Sequence, residues 1–350
     1  APVSAGESSR AVSFDGSLRD YLPIAGSNLL LTIVTLGIYR FWAKARTRRY
    51  LWSHTRVIDD ALDWSGTGKE MFVGFLLVSL ILLPVALLVA FGLPALAARV
   101  HPMAAAAAGF LLYPFLLAFI GYARFRALRY RLSRSWWHGV RGGSDDSGSG
   151  YALRAVLYNG LTYLTALILT PWAQTRLWNE RWNSMSFGPL AFRSSLRARD
   201  VWKGWAVFWS LFAIVSVTLA IFTAPGIIVY GPGAPALVVP LILYLGLGIA
   251  FVAYQASFYN AALDGLKLGE LEFAFQAETD DWVRFHATTI GLAIVTLGLA
   301  FIVYDYRKWR FMVEHLRLHG EVDLAALEQS TTLANRDAEG ISDAFDLGAF

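Results

Sequence analysis

Few side chains in this sequence have the types and spacing that metal binding or catalysis requires. His315 and His319 are four residues apart on a predicted helix with Glu314 beside them, and two histidines at that spacing can hold a metal ion. The glutamate points away from them on a helix, so a solvated or interfacial face is the simpler interpretation. The chain has no cysteine, which excludes disulfides and thiolate sites. We therefore expect neither a metal site nor a cofactor.

Phosphate-binding and acid–base motifs are also missing from the sequence. The glycine-rich segment 66–69 lacks the spacing of a phosphate-binding loop and follows no parallel strand, so we expect a turn before an apolar helix. Asp59-Asp60 and Asp280-Asp281 are adjacent in sequence, and their side chains diverge on a helix or strand. With no facing pair of carboxylates, the sequence predicts a protein that is not an enzyme.

Arginines interleaved with tryptophans form the most informative pattern. Cations beside a membrane attract anionic lipid headgroups, and tryptophan is enriched at membrane interfaces. Setting the topology and anchoring the interface is the simpler explanation, and binding of lipid headgroups or of other membrane-protein subunits is the functional one. Nucleic acid is not expected, since each basic helix adjoins an apolar segment. The candidate binding residues are Arg40, Trp42, Lys44, Arg46, Arg49, Trp52, Arg126, Arg129, Trp172, Arg176, Trp182, Arg307 and Arg310.

The composition indicates that these helices belong to a membrane protein. Of 350 residues, 56% are hydrophobic and 16% are charged, whereas soluble proteins have about 25% charged residues. The mean hydropathy is +0.47. This composition excludes a disordered chain and a disulfide scaffold. Residues 1–18 contain no apolar core of a signal peptide, so we expect no cleaved signal.

Seven uncharged apolar segments approach the length of about 20 residues that a helix needs to cross a bilayer. Four are clear candidates, at residues 71–91, 104–122, 204–222 and 234–254. Three are ambiguous because they contain glycines, a proline or asparagines, at residues 21–39, 155–172 and 287–304. The second group can cross the membrane or enter it as re-entrant or interfacial segments.

The distribution of Lys and Arg favours the second alternative. If all seven segments cross, a basic stretch between Arg176 and Lys203 lies outside, and the two halves are inverted as in many transporters. If only four cross, Arg99 is the one cation outside among 30 Lys and Arg residues. Short basic loops remain cytoplasmic. We therefore expect a multi-pass protein of the bacterial inner membrane, with the basic loops and the C-terminus in the cytoplasm.

Internal repeats relate the three ambiguous segments. Trp42-Ala43-Lys44-Ala45-Arg46 recurs 130 residues later as the segment 172–176, and Trp52 matches Trp182. At an offset of 261, the segments 35–37 and 296–298 are identical. Arg46 then matches Arg307, Arg49 matches Arg310, and His54 matches His315. Several matches at a shared offset indicate duplication.

A second repeated element predicts short strands. Glycine followed by alternating apolar residues occurs at 188–192, 269–273 and 320–324, which is typical of a turn and a half-buried strand. We predict an all-α polytopic membrane protein with internal repeats and short cytoplasmic β-hairpin elements between membrane segments. The predicted divisions are an N-terminal tail (1–18), repeat 1 (19–143), a linker (144–150), repeat 2 (151–275), a partial third repeat (276–327) and an acidic tail (328–350).

Three motifs of the sequence are specific enough to identify a family. They are the segment 28–44 followed by Arg48-Arg49-Tyr50-Leu51-Trp52, the segment 136–143, and Thr170-Pro171-Trp172-Ala173. In these motifs the sequence resembles the YjgN-like family of bacterial inner-membrane proteins, a domain of unknown function. The resemblance extends over roughly residues 14–324. It implies a multi-pass inner-membrane protein and carries over no activity. In the third copy, Val303 replaces the tryptophan of the other two.

Two functions fit these patterns. The first is a non-enzymatic scaffold or accessory subunit that contacts lipids or a larger membrane complex. The alternative is a carrier for a lipid or small apolar solute between the two repeats. None of the seven apolar segments contains Asp, Glu, Lys, Arg or His, whereas proton- and ion-coupled transporters place ionisable groups in the membrane. The sequence therefore favours the scaffold.

Overall fold

The computed structural model describes residues 3–5, 11–222, 234–322, 329, 330 and 332. The helices are α1 (Leu18–Val34), α2 (Arg40–Ser53), α3 (Gly68–Leu87), α4 (Leu93–Arg99), α5 (Pro102–Arg134), α6 (Ser149–Leu164), α7 (Thr170–Asn183), α8 (Ala198–Phe222), α9 (Ala234–Asp264), α10 (Thr279–Val295) and α11 (Tyr304–His315). A π-helical turn, Leu88–Gly92, joins α3 to α4, and a 3₁₀ turn, Leu299–Val303, precedes α11. The predicted link 223–233 lies outside the described residues.

Within the described ranges, twelve strands connect these helices. They are β1 (Val3–Ala5), β2 (Val12–Phe14), β3 (Thr55–Val57), β4 (Asp60–Ala61), β5 (Asp63–Trp64), β6 (Ser135–Trp137), β7 (Val140–Gly143), β8 (Ser186–Phe187), β9 (Leu190–Ser194), β10 (Leu266–Leu268), β11 (Leu271–Phe275) and β12 (Leu316–Val322). Each helical unit leaves one strand and returns to another: α1–α2 lies between β2 and β3, α3–α5 between β5 and β6, and α6–α7 between β7 and β8. All the strands therefore lie at one end of the helical layer.

The strands assemble into two antiparallel sheets. One has nine strands in the order β1-β12-β11-β10-β9-β8-β7-β6-β5, and the other has three in the order β2-β3-β4. The large sheet is curled into a half-barrel. Neighbouring strands are often joined across a whole helical unit, as in the pair of Trp64 with Ser135. Inward residues such as Trp137 and Leu271 are buried, whereas Glu272 faces out, as the two-residue period of a strand requires.

The three ambiguous segments form helical hairpins. Hairpin 1 consists of α1 and α2, hairpin 2 of α6 and α7, and hairpin 3 of α10, the 3₁₀ turn and α11. In hairpin 1 the amide of Asn28 donates to the carbonyl of Ala43 (3.2 Å), and the hydroxyls of Tyr21 and Thr47 are 3.2 Å apart. Such pairs show that the second arm runs back along the first. None of the three segments is one straight helix.

Three helices among the described residues are long and apolar enough to cross a membrane. They are Gly68–Arg99, Pro102–Arg134 and Ala198–Leu219. The first two contain the predicted spans 71–91 and 104–122, and the third overlaps most of 204–222. The fourth, at 234–254, lies on α9, where the side chains of residues 234–242 are not described. None of the apolar stretch of Pro102–Arg134 is buried within the protein.

The predicted all-α fold is wrong. The short strands were expected as separate hairpins, but they form a continuous nine-stranded sheet. They do so because every helical unit begins and ends at the same layer, which brings strands far apart in sequence edge to edge. The predicted domain boundaries stay a prediction, and of the acidic tail at 328–350 the structure describes residues 329, 330 and 332.

Candidate functional site

A threonine sets the turn of each helical hairpin. The hydroxyl of Thr35 donates to the carbonyl of Leu31 (2.7 Å) and accepts the backbone N–H of Tyr39 (2.9 Å). Thr165 makes the corresponding bonds in hairpin 2, and Thr296 in hairpin 3. The hydroxyl thus satisfies backbone groups that the end of a helix leaves without partners. The three turns share this geometry at matched positions.

The hairpin tips carry large exposed apolar side chains. Leu36 in hairpin 1 and Leu297 in hairpin 3 are each 94% exposed, and Leu164 in hairpin 2 is 84% exposed. Contiguous exposed apolar patches on a protein mark contacts with a membrane or another protein. Tyr39 and Trp42 lie just below the first tip, at a level where aromatic rings are typical of the membrane interface. The tips are therefore suited to entering the hydrocarbon layer from the side of the sheet.

A cavity of about 460 Å³ lies between the curled sheet and the helices. Its wall is formed mainly by aliphatic and aromatic side chains from α2, α5, α11 and the large sheet. Trp52 and Trp309 are stacked in this wall with ring centroids 4.2 Å apart. The indole N–H of Trp52 donates to Ser135 Oγ (2.8 Å), and that of Trp309 donates to Thr55 Oγ1 (2.8 Å). Both tryptophans are therefore fixed in place.

The helical wall of the cavity is cationic. Among its described residues are four cations and one carboxylate, Lys44, Arg48, Arg131, Lys308 and Asp305. Arg48 is buried, and its guanidinium lies over the ring of Trp64, 5.0 Å from the centroid. Ligand pockets are typically apolar cavities with a few polar groups that fix orientation. An anionic head with an apolar tail matches this combination.

The structure spreads the predicted binding residues over several environments. The exposed ones are Arg40, Arg49, Arg176 and Arg310, and the half-buried ones are Trp42, Lys44, Arg46, Arg126, Trp172 and Arg307. Arg307 and Arg310 lie with Arg284 along a second groove of about 700 Å³, between α1 and hairpin 3. Leucines such as Leu22 and Leu292 line the rest of that groove. The groove combines these cations with the carboxylates Asp281 and Glu314 along an apolar channel.

Two matched arginines brace their own hairpins. One terminal nitrogen of Arg46 donates to Ser27 Oγ (3.3 Å), Asn28 Oδ1 (3.1 Å) and the hydroxyl of Tyr39 (3.2 Å). In hairpin 3, Arg307 donates to Thr288 Oγ1 (2.6 Å), and Thr288 occupies the position that matches Ser27. These arginines tie one arm to the other, in addition to any contact with lipid.

Three predicted residues are buried: Trp52, Arg129 and Trp182. Arg129 donates to the carbonyl of Asp146 (2.7 Å), which fixes the loop before α6. The ring of Trp182 packs on Phe192, with centroids 4.9 Å apart. Their sequence pattern suggested an interface, but their position gives them structural contacts inside the protein.

The candidate binding residues taken from the sequence do not include three cations of the cavity wall: Arg48, Arg131 and Lys308. One signal was available, because Asp305, Lys308, Trp309 and Met312 follow the spacing of one helix face and all line the cavity. Nothing in the spacing of α2, α5 and α11 reveals that their faces meet.

The two repeated histidines have the same structural role. His54 Nδ1 lies 2.8 Å from the carbonyl of Tyr50, and His315 Nδ1 lies 2.8 Å from that of Phe311. Each histidine therefore contacts the residue four positions earlier at the end of its helix. In the part of the chain that the structure describes, no three His, Asp or Glu side chains form a group suited to a metal ion.

Long apolar helices and exposed apolar hairpin tips are features of the class of integral membrane proteins. The chain belongs to the family described as "Bacterial protein of unknown function (DUF898)", whose model matches residues 9–344. This match extends over nearly the whole chain and includes all three hairpins.

Relatives of known name confirm the resemblance seen in the sequence. The "Inner membrane protein YjgN" of Salmonella typhimurium is 31% identical over 134 residues, which are 38% of this chain and 31% of that protein. The protein of the same name from Escherichia coli K12 is 38% identical over 68 residues, 19% of this chain and 17% of that protein. The matched stretches thus span less than a third of these relatives. Their names support a bacterial inner-membrane location. No solved structure matches the chain.

Proposed function

We propose that the protein is a non-enzymatic, multi-pass membrane carrier that holds a single-chain amphiphile with an anionic head. The cavity of about 460 Å³ carries this proposal. Its sheet side offers leucine and phenylalanine side chains to an acyl chain, and its helical side offers Arg48 and Lys308 to a carboxylate or phosphate. The cavity lies where the three hairpins meet the sheet, so a ligand there contacts every repeat. The common geometry of the hairpin turns supports an origin by duplication.

The sheet faces the cytoplasm in this proposal. The cation Arg99 is the last residue of α4, at the far end of the helical layer. The basic residues of α2, α7 and α11, in contrast, lie on the arms that return to the sheet. Lys and Arg accumulate on the cytoplasmic side. Arg40, Arg49, Arg176 and Arg310 then reach anionic headgroups of the inner leaflet. The groove of Arg284, Arg307 and Arg310 is suited to a phospholipid bound from the side.

Binding of radiolabelled palmitate to the purified protein in detergent tests the cavity. Met312 lines the cavity and is half-buried, so Met312→Trp should fill it and abolish saturable binding. Leu153→Trp is the matched control, because Leu153 on α6 is 72% exposed and does not line the cavity. Equal binding to the wild type and to Met312→Trp would exclude the cavity as the site.

The head of the ligand is tested separately. Arg48→Gln should weaken the binding of palmitate and leave that of the uncharged palmityl alcohol unchanged, because the side chain supplies charge to the carboxylate. A similar loss for both ligands would show that Arg48 shapes the cavity without recognising the head.

A scaffold is the second candidate function, and the helices whose apolar faces are not buried within the protein support it. None of the apolar stretch of Pro102–Arg134 is buried within the protein, and 11% of that of Gly68–Arg99 is buried. Such faces can pack against another membrane protein as well as against lipid. Mild extraction followed by mass determination tests this candidate. A monomer with no co-purifying protein would exclude a stable complex.

A further inference from the structure

Just before the acidic segment 333–350, Gln329 and Thr332 contact the sheet beside the cavity. Gln329 Nε2 donates to the carbonyl of Gly139 (2.9 Å), and the Gln329 side-chain oxygen accepts the backbone N–H of Arg141 (3.3 Å). The guanidinium of Arg141 donates to the carbonyl of Thr332 (2.5 Å). These bonds hold Gln329 and Thr332 against β7, whose neighbours β6 and β8 both contribute to the cavity wall.

Arg141 is suited to this anchoring role. Burial, followed by the charge of Arg134, lowers the pKa of Arg141 from its ordinary value. An arginine stays charged at neutral pH in spite of such a shift. A Cβ on Gly143 would lie 2.3 Å from Thr332 Oγ1, so a glycine is needed where the segment crosses the strand.

The segment 333–350 is complementary to the cavity in charge and polarity. It contains the acids Asp337, Glu339, Asp343 and Asp346, with Arg336 as its one cation. Apolar residues lie among them: Leu333, Ile341, Phe345, Leu347 and Phe350. The described cavity wall has the opposite balance, with four cations and one carboxylate in an otherwise apolar surface. At about 3.3 Å per residue, the segment can reach roughly 60 Å from Thr332, which is ample to enter the cavity.

We propose that the acidic segment 333–350 docks in the cavity between the sheet and the hairpins, with its carboxylates at Lys44, Arg48, Arg131 and Lys308. The segment then competes with the amphiphile for one site and regulates its access. This regulatory role rests on the proposed function, whereas the docking itself does not. The carboxylates of the segment take the place of the ligand head, and its apolar residues take the place of the acyl chain.

Disulfide crosslinking tests the docking, because the chain has no cysteine of its own. One variant combines Met312→Cys in the cavity with Ala344→Cys in the segment. The control combines Ala191→Cys, exposed on β9, with the same Ala344→Cys. A docked segment should crosslink to the cavity on the order of tenfold faster than to the control site, because docking raises the local concentration of the thiol. Changing the four acids to Asn or Gln should remove most of this advantage.

Palmitate binding separates this proposal from the proposed function. If both hold, palmitate slows the crosslinking, and the neutralised variant binds palmitate more tightly than the wild type. Fast crosslinking, with no palmitate binding even by the neutralised variant, supports the docking and contradicts the carrier. Crosslinking at the control rate, with normal palmitate binding, overturns the docking and leaves the carrier in place.

Discussion

Hairpins 1 and 2 share a turn but differ in their interiors. In hairpin 1, Arg46 is tied to Ser27 and Asn28 on the opposite arm, while the matched Arg176 of hairpin 2 is exposed. Deeper in the protein, hairpin 2 has the arginine with inward contacts. Leu51 of hairpin 1 is 3% exposed, and its counterpart in hairpin 2 is Arg181, which is 7% exposed. The Arg181 guanidinium lies over the ring of Trp178, 5.5 Å from its centroid, and burial lowers the pKa of Arg181.

The two hairpins share their turn geometry and differ in the placement of their arginines. The threonine turn and the inward tryptophans, Trp52 and Trp182, have the same roles in both hairpins. The positions of the arginines differ, and with them the chemistry of each hairpin. Hairpin 1 presents Lys44 and Arg48 to the cavity between sheet and helices, whereas hairpin 2 exposes Arg176 at its surface and buries Arg181. The two hairpins thus share a backbone turn, and single side-chain differences set the chemistry of each.

The shared tryptophans should have the largest effect on stability. Trp52→Ala and Trp182→Ala each remove a buried aromatic side chain, which costs about 3–5 kcal/mol in a folded core. Both variants should unfold at clearly lower temperature in detergent, as followed by circular dichroism. Trp42→Ala is the control, because Trp42 is half-buried near the hairpin tip. If Trp52→Ala melted with the wild type, hairpin 1 would not be part of the core.

Charges at the exposed hairpin tips should have the second-largest effect on stability. Leu36→Asp and Leu164→Asp place a charge in the hydrocarbon layer, at about 2.5–3.5 kcal/mol if the tip reaches the bilayer centre and less if it stays shallow. The expected result is unfolding at a lower fraction of SDS in bicelles, for both hairpins alike. Ala191→Asp on the sheet should have no effect. Should the tips behave like Ala191, they lie in water and the hairpins are not re-entrant.

The sequence was enough to recognise the hairpin turns as related, but it was not enough to predict the sheet. Thr35-Leu36-Gly37 and Thr296-Leu297-Gly298 repeat identically, which marked these segments as related and different from plain spans. The strands are as short as two residues, and Trp64 pairs with Ser135 across an entire helical unit. An alternation of apolar and polar residues over so short a strand does not indicate which other strand it pairs with. The cavity could not be predicted from the sequence for the same reason. Arg48, Arg131 and Lys308 come together because the sheet joins their helices.

The matched arginines give a smaller and more selective effect. Arg46→Ala removes hydrogen bonds to a charged group, so we expect a loss of about 1–3 kcal/mol in stability. Arg176→Ala should leave the melting temperature unchanged and reduce the phosphatidylglycerol that stays with the purified protein, because a cation at the surface contributes about 1 kcal/mol to such binding. The two measurements, thermal melting and lipid analysis by mass spectrometry, should rank the variants in opposite orders. Identical behaviour of both would remove the distinction between bracing and headgroup arginines.

The smallest effect concerns the backbone of the turn. Gly37 has φ +90°, and a Cβ there would meet nothing within 4 Å. Gly37→Ala therefore tests conformation without a clash, and the left-handed backbone should cost it about 1 kcal/mol. Gly26→Ala is its counterpart, because Gly26 lies inside α1 with equally open space. Alanine is favoured over glycine in a helix by about 0.5–1 kcal/mol, so this change should stabilise the protein.

Hairpin 2 shows that the turn tolerates a side chain at this position. Leu167, which matches Gly37, has φ +68°, and its carbonyl accepts the indole N–H of Trp205 (3.1 Å). Contacts with α8 therefore compensate hairpin 2 for the strain, whereas a Cβ on Gly37 would meet nothing within 4 Å that could do so. Melting temperatures of Gly37→Ala and Gly26→Ala should move in opposite directions. A shift of both in the same direction would mean that lipid packing at the tip, and not the left-handed backbone, sets the residue at the turn.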